Sequence, residues 1–154
     1  IDAAMRDFGF PMGVFQMADL AGLDIGWAMR KRQAATRDPS ERYVEIADRI
    51  GEIGRLGRKT GRGWYDYTQD KAGVPDPWVA ALIEAESARK GITRQSLDAG
   101  QIMHRILTVM QEEGAALLAE GIAASPEAID VVMINGFGFP RWRGGPMFMM
   151  DSEP

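Results

Sequence analysis

Catalysis at a protein site needs a side chain that can move a proton, attack an electrophile or hold a metal, and this chain offers few at useful spacing. His104 is its only histidine, so a Ser-His-Asp arrangement or a lone general base would have to use it. It stands between Met103 and Arg105 in a stretch of helical periodicity, a setting that suits a packed or surface histidine better than a base. The acidic pairs Glu112-Glu113 and Glu84/Glu86 are adjacent or two apart. Neither spacing places both carboxylates on one helix face, so each reads as solvated charge. With no cysteine and one histidine, the usual zinc ligand sets cannot be assembled. Two phosphate-binding patterns also fail. Gly136-Phe137-Gly138 is followed by Arg141 where a dinucleotide fingerprint requires glycine, and Arg58 stands where a phosphate loop ending in Lys59-Thr60 requires one.

A different kind of feature is left: FGFPMGVFQMAD at Phe8–Asp19 and FGFPRWRGGPMFMMD at Phe137–Asp151. Ile1, Asp2 and Met5 match Ile129, Asp130 and Met133, and after the FGFP of the second copy three residues, Arg141, Trp142 and Arg143, are inserted before Gly13 and Asp19 find counterparts in Gly145 and Asp151. An ordered repeat of this length implies two copies of one supersecondary unit. Glycine permits a sharp turn or a close approach, proline stiffens the chain, and Phe, Met and Trp add contact area without a nucleophile. Such a segment suits a pocket wall or a rigid helix–helix corner. The inserted Arg-Trp-Arg suits an anion, a partner surface or open solvent.

The elements that must position these loops are helical. Ile102, Ile106, Met110 and Leu118, with Met103, Leu107 and Leu117 beside them, keep helical spacing through QIMHRILTVMQEEGAALLAEGI. Gly114 inside this helix points to close packing, and Gly121 to its end. Ser125-Pro126-Glu127 supplies a cap, a first-turn proline and a first-turn acid, predicting a short helix from Pro126 to about Met133. Asp76-Pro77 opens another, running to about Arg89 before Gly91. A helix is also predicted over 40–50 with Tyr43, Ile46 and Ala47 inward, and an amphipathic stretch from Leu20 to about Ala35. The glycine-rich, basic segment 51–67 closes in a strand-like Trp64-Tyr65-Asp66-Tyr67. The pattern predicts an all-α chain without the strand–helix alternation of a nucleotide-binding sheet. Its expected organisation is a first unit over 1–67, a connector with a helix over 68–100, and a second, degenerate unit over 101–154. Both copies break off inside the unit, which predicts a piece cut from a longer protein.

Composition narrows the class further. A net charge of −4 argues against a general phosphate-backbone binder, so no nucleic acid is expected. No apolar run approaches the roughly 18 residues of a membrane span, and no signal-peptide pattern opens the chain. The lack of cysteine suits a reducing compartment. The expected setting is cytoplasmic in a bacterial-type protein, with a peroxisome or mitochondrion left open.

Taken together, IDAAMRDFGFPMGVFQMADLAGLDI, RLGRKTGRGWYDY and EGIAASPEAIDVVMINGFGFPRWRGGPMFMMD resemble the C-terminal region of 3-hydroxyacyl-CoA dehydrogenases, and more narrowly of the multifunctional enoyl-CoA hydratase/3-hydroxyacyl-CoA dehydrogenases of fatty acid β-oxidation. The resemblance is weakest between Thr68 and Gly100. It implies two tandem helical units like the C-terminal domain of 6-phosphogluconate and 3-hydroxyacyl-CoA dehydrogenases. It also implies a parent that oxidises L-3-hydroxyacyl-CoA with NAD, with or without hydratase activity. NAD and the catalytic residues would then belong to a Rossmann domain upstream of Ile1, leaving this segment without cofactor, metal or activity of its own. Phe10, Pro11, Met12 and Phe15, with Phe8 alongside, would line the acyl-CoA substrate. Asn135 occupies the position, ahead of the second Gly-x-Gly-Phe-Pro, that contacts substrate in some members. Gly136 to Gly145 would brace the first unit or close the cleft. Implied partners are acyl-CoA, the Rossmann domain of the same chain, and a second copy or a thiolase. The competing reading is a structural or oligomerisation module with no ligand. A single-unit β-hydroxyacid dehydrogenase is disfavoured by the second copy.

Overall fold

The structure, a computed structural model, describes residues 1–40 and 42–152. The described residues form α1 (Asp2–Phe8), α2 (Val14–Ala21), α3 (Leu23–Gln33), α4 (Ile46–Glu52), β1 (Tyr65–Asp66), β2 (Val74–Pro75), α5 (Pro77–Arg89), α6 (Ala99–Ala119), α7 (Pro126–Gly136) and α8 (Pro146–Ser152), with single 3-10 turns at Arg58–Thr60 and Arg141–Arg143. The all-α expectation holds. The one sheet is a two-residue antiparallel ladder, with Tyr65 opposite Pro75 and Asp66 opposite Val74.

Two compact units divide the chain: Ile1–Gly13 joined to the chain from Ser96 onward, and Val14–Gln95. The first contains α1, α6, α7 and α8 around Ala4, Met5, Phe10, Met103 and Phe139, with Ile102, Ile106, Leu107, Met110, Met133 and Met149 packed against them. Its helices start where local chemistry dictates. Asp98 and Gln101 form a reciprocal capping box, the Gln101 amide donating to Asp98 at 2.8 Å and the Asp98 amide to Gln101 at 3.0 Å. Ser125 caps α7 by accepting from the Ala128 amide, with Pro126 in the first turn. This helix runs to Gly136, one turn past the predicted end near Met133. The turn persists because the Phe137 amide still reaches the Met133 carbonyl at 3.2 Å, and Asn135 bonds back to Val131.

A buried aspartate recurs in each copy. Asp130 in α7 accepts from the Met147 and Phe148 amides at the start of α8, at 2.8 and 2.9 Å. Gly145 lets it approach, since a Cβ there would fall 2.3 Å from the Asp130 carboxyl carbon. The same approach recurs at Asp2 and Gly13, where a Cβ would fall 2.2 Å from the Asp2 carboxyl carbon. Both aspartates are buried, and the two amides that donate to Asp130 open α8, where no helical carbonyl is available to them.

The second unit packs α2 to α5 around Leu23, Ile50 and Val79, with Ala18, Ile46, Trp64, Leu82 and Ile83 closing over them. Asp76 caps α5 through the Trp78 amide at 2.8 Å, and α5 keeps its predicted bounds. Gly22 splits the stretch from Leu20 to Ala35 into α2 and α3. The helix predicted over 40–50 is a correction: α4 begins at Ile46, and Glu41 lies outside the described residues. Asp38 accepts from both the amide and the hydroxyl of Ser40, at 2.8 and 2.7 Å, a local turn that competes with helix initiation. Tyr43 lies under the Arg37 guanidinium, 3.4 Å from the ring centre, and donates its hydroxyl to Asp48. Ile50 is the fully buried residue of α4.

Two helical glycines test the packing. A Cβ on Gly114 would meet the Met147 sulfur at 2.4 Å inside the first unit, whereas one on Gly26 meets only the tip of Arg30 at 3.2 Å. Gly26→Ala is expected to stabilise by up to about 1 kcal/mol through helix propensity. Gly114→Ala is expected to destabilise by about 1–2 kcal/mol, because overpacking exceeds the same gain. Urea midpoints moving in opposite directions check this.

Candidate functional site

In the first unit the two FGFP turns grip each other. A Cβ on Gly9 would stand 2.9 Å from the Pro140 ring, and one on Gly138 would stand 3.1 Å from the Pro11 ring. Each glycine, at φ 123° and 70°, therefore leaves the space that the other copy's proline enters. Phe139 presents its edge to Phe10 at 5.4 Å and to Phe8 at 5.9 Å between ring centres, and Phe8 stacks on Phe10 at 5.9 Å.

Of the residues predicted to touch substrate, Phe10 is buried in this core, while Pro11 and Asn135 are exposed and Met12 half-buried. Asn135 is held at both ends of its amide, donating to the Val131 carbonyl at 2.8 Å and accepting from Arg141 at 3.1 Å. Phe15 belongs to the second unit, tilted on Trp64 with ring centres 4.5 Å apart. There it lines a largely apolar cleft of about 250 Å³ with Trp64, Tyr65, Val79, Ala80 and Ile83. His104 is exposed on α6, and Glu112 and Glu113 are exposed further along it.

Two polar centres organise the second unit. Asp19 accepts from the Trp64 amide at 2.9 Å, the Tyr65 amide at 3.0 Å and the Tyr67 hydroxyl at 3.0 Å. Burial pushes its carboxyl above the ordinary aspartate value, against the pull of those donors and of Arg55. Burial and the neighbouring Asp19 charge push the Tyr67 hydroxyl up to about 12. Arg55, buried, donates from Nε and a terminal nitrogen to the Gly63 carbonyl at 3.1 and 2.9 Å, and reaches Asp76 at 2.6 Å. The basic stretch around it is similarly occupied, with Lys59 paired to Asp24 and Arg62 to Asp66. In the sequence Asp76 reads only as a helix start and Asp130 only as a repeat match to Asp2, and Arg55 gives no signal of its pairing with Asp76.

The glycine pair at 136 and 138 does not have the setting of a dinucleotide fingerprint. Gly136 and Gly138 lie between the end of α7 and a 3-10 turn rather than between a strand and a helix, and the sheet is a single antiparallel ladder. No group of three or more candidate metal ligands occurs among the described residues.

Fold and site thus define an all-α domain built on a duplicated helix–turn–helix unit. Residues 1–67 and 100–152 match the family model described as the 3-hydroxyacyl-CoA dehydrogenase C-terminal domain, and the chain belongs to that family. It is 45% identical over 161 residues to the peroxisomal bifunctional enzyme of Danio rerio, covering 96% of this chain and 22% of that protein. The corresponding human enzyme is 40% identical over 99% of this chain and 23% of its own length. The peroxisomal fatty acid beta-oxidation multifunctional protein of Oryza sativa subsp. japonica is 30% identical, over 99% of this chain and 22% of its own. The chain therefore spans about a fifth of these relatives. Among solved structures, the dehydrogenase part of multifunctional enzyme 1 from C. elegans superposes with a TM-score of 0.64 at 26% identity, over 91% of this chain and 31% of that one. The expected cytoplasmic, bacterial-type setting is overturned, because these relatives are peroxisomal proteins of eukaryotes. Composition and a lack of cysteine do not discriminate between such compartments.

Asp76 provides a pH test. Burial alone would raise its carboxyl, but the Arg55 guanidinium and the Trp78 amide hold it below the ordinary 3.8. A depressed folded-state value gives stability that is present above the ordinary aspartate range and lost as pH falls through the folded value. Asp76→Asn is expected to lower stability at pH 7 by about 3–5 kcal/mol, the cost of a buried unpaired charge. It should also flatten the loss of stability on acidification below about pH 4. Urea unfolding across pH measures both.

Proposed function

We propose that this chain forms the substrate-side wall of a 3-hydroxyacyl-CoA dehydrogenase within a peroxisomal multifunctional enzyme of fatty acid β-oxidation. The parent oxidises L-3-hydroxyacyl-CoA to the 3-oxoacyl-CoA, with NAD held by another part of the parent. The observation that carries this reading is the pair of interlocked FGFP turns in a chain matching the family over 1–67 and 100–152. These turns leave Pro11 and Met12 at the surface of a rigid, largely apolar corner. Phe10 backs this wall from the core, and Asn135 contributes the polar contact. An unbranched methionine re-packs around acyl groups of different length at low cost.

The exposed side chains Val131, Val132, Phe137, Trp142 and Phe148 favour an added role in assembly. They would meet the cofactor-holding part of the parent, a second copy or a thiolase. Acetoacetyl-CoA titration separates wall from pure assembly module, since only a wall gives saturable binding to the parent that Met12→Ala weakens. The 154-residue chain by itself is expected to form no NADH from NAD and 3-hydroxybutyryl-CoA, followed by absorbance. Turnover by the isolated chain would overturn the division of labour.

A further inference from the structure

Arg143 lies in the three residues present only in the second copy, and its side chain is committed to the first copy's turn. Its Nε donates to the Phe8 carbonyl at 3.0 Å. Its guanidinium carbon lies 3.9 Å from the centre of the Phe8 ring and 4.1 Å from that of Trp142. The cation is thus bonded to the backbone of the FGFP turn and bears on two aromatic rings, one of each copy. Half-buried, it retains these contacts with partial desolvation, where cation–π attraction is stronger than at an open surface. Trp142 is 73% exposed, so its ring covers the guanidinium rather than filling the core. Gly9, the residue after the bonded carbonyl, is the one the Pro140 ring enters. Arg143 and Pro140 of the second copy therefore grip Phe8 and Gly9 at consecutive positions, immediately ahead of Phe10-Pro11-Met12.

We infer that Arg143 is a positioning residue: from the degenerate copy, it fixes the backbone of the turn that presents Pro11 and Met12 to the acyl-CoA. The inference rests on the substrate-wall reading above. Lysine cannot replace it fully, because an ammonium lacks the planar fork that bonds the carbonyl while lying against the rings. Loss of this hold shifts a wall residue without removing any reacting group, so it acts on substrate affinity and leaves the chemical step in place.

The test is steady-state kinetics of the full-length parent enzyme carrying Arg143→Met, Arg143→Lys or Met12→Ala. Arg143→Met is expected to raise KM for 3-hydroxyacyl-CoA by roughly three- to tenfold, while kcat and KM for NAD stay within about twofold, and Arg143→Lys is expected to fall between it and the parent. If Arg143→Met does not yield folded enzyme, the same split read on Arg143→Lys decides. An unchanged KM for the acyl-CoA, or a joint loss in kcat and both KM values, overturns the positioning role. If Met12→Ala shifts that KM and the Arg143 variants do not, only the positioning inference fails. If none of the three shifts it, the wall reading fails with it.

Discussion

Each FGFP turn is shaped by the other. Gly9 has no side chain where the Pro140 ring sits, and Gly138 has none where the Pro11 ring sits, so the contact is reciprocal, as in a self-complementary interface folded into one chain. Close backbone approach brings Phe8, Phe10 and Phe139 within aromatic contact distance. Those rings in turn form the floor on which Met103 of α6 and Met5 of α1 pack. The repeat is thus a physical requirement: one turn alone would leave a proline ring in water and a glycine with an empty face.

Sequence reasoning reached the helices with their own start signals. α5 and α7 open with an aspartate and a serine that cap the first turn, signals that act within three or four residues, and α6 shows in its apolar periodicity. Tyr43 leaves the predicted helical path because the Asp38–Ser40 turn competes with helix initiation and because Arg37 and Asp48 hold its ring and hydroxyl. β2 was invisible, since two residues hold no periodicity and their pairing with Tyr65 and Asp66 is a tertiary fact.

The candidate site was legible to the same extent. The FGFP turns stood out through repetition, and with them Pro11 and Met12. Burial was not readable, so Phe10 entered the expected contacts although its ring faces the core. The inserted Arg-Trp-Arg admitted anion, partner or solvent as its target. The intramolecular answer at Arg143 depended on Phe8 lying 135 positions away in sequence.

Asp76 serves two structures with one carboxylate, accepting from the Trp78 amide that opens α5 and from Arg55 under the glycine-rich loop. It lies in the stretch between 67 and 100 that the family model leaves unmatched, yet Val79 from that stretch completes the second core. A change in this segment that removes the Asp76 carboxylate would leave the buried Arg55 guanidinium without its anion, so the segment's freedom to vary is tied to a cation on the far side of the glycine-rich loop.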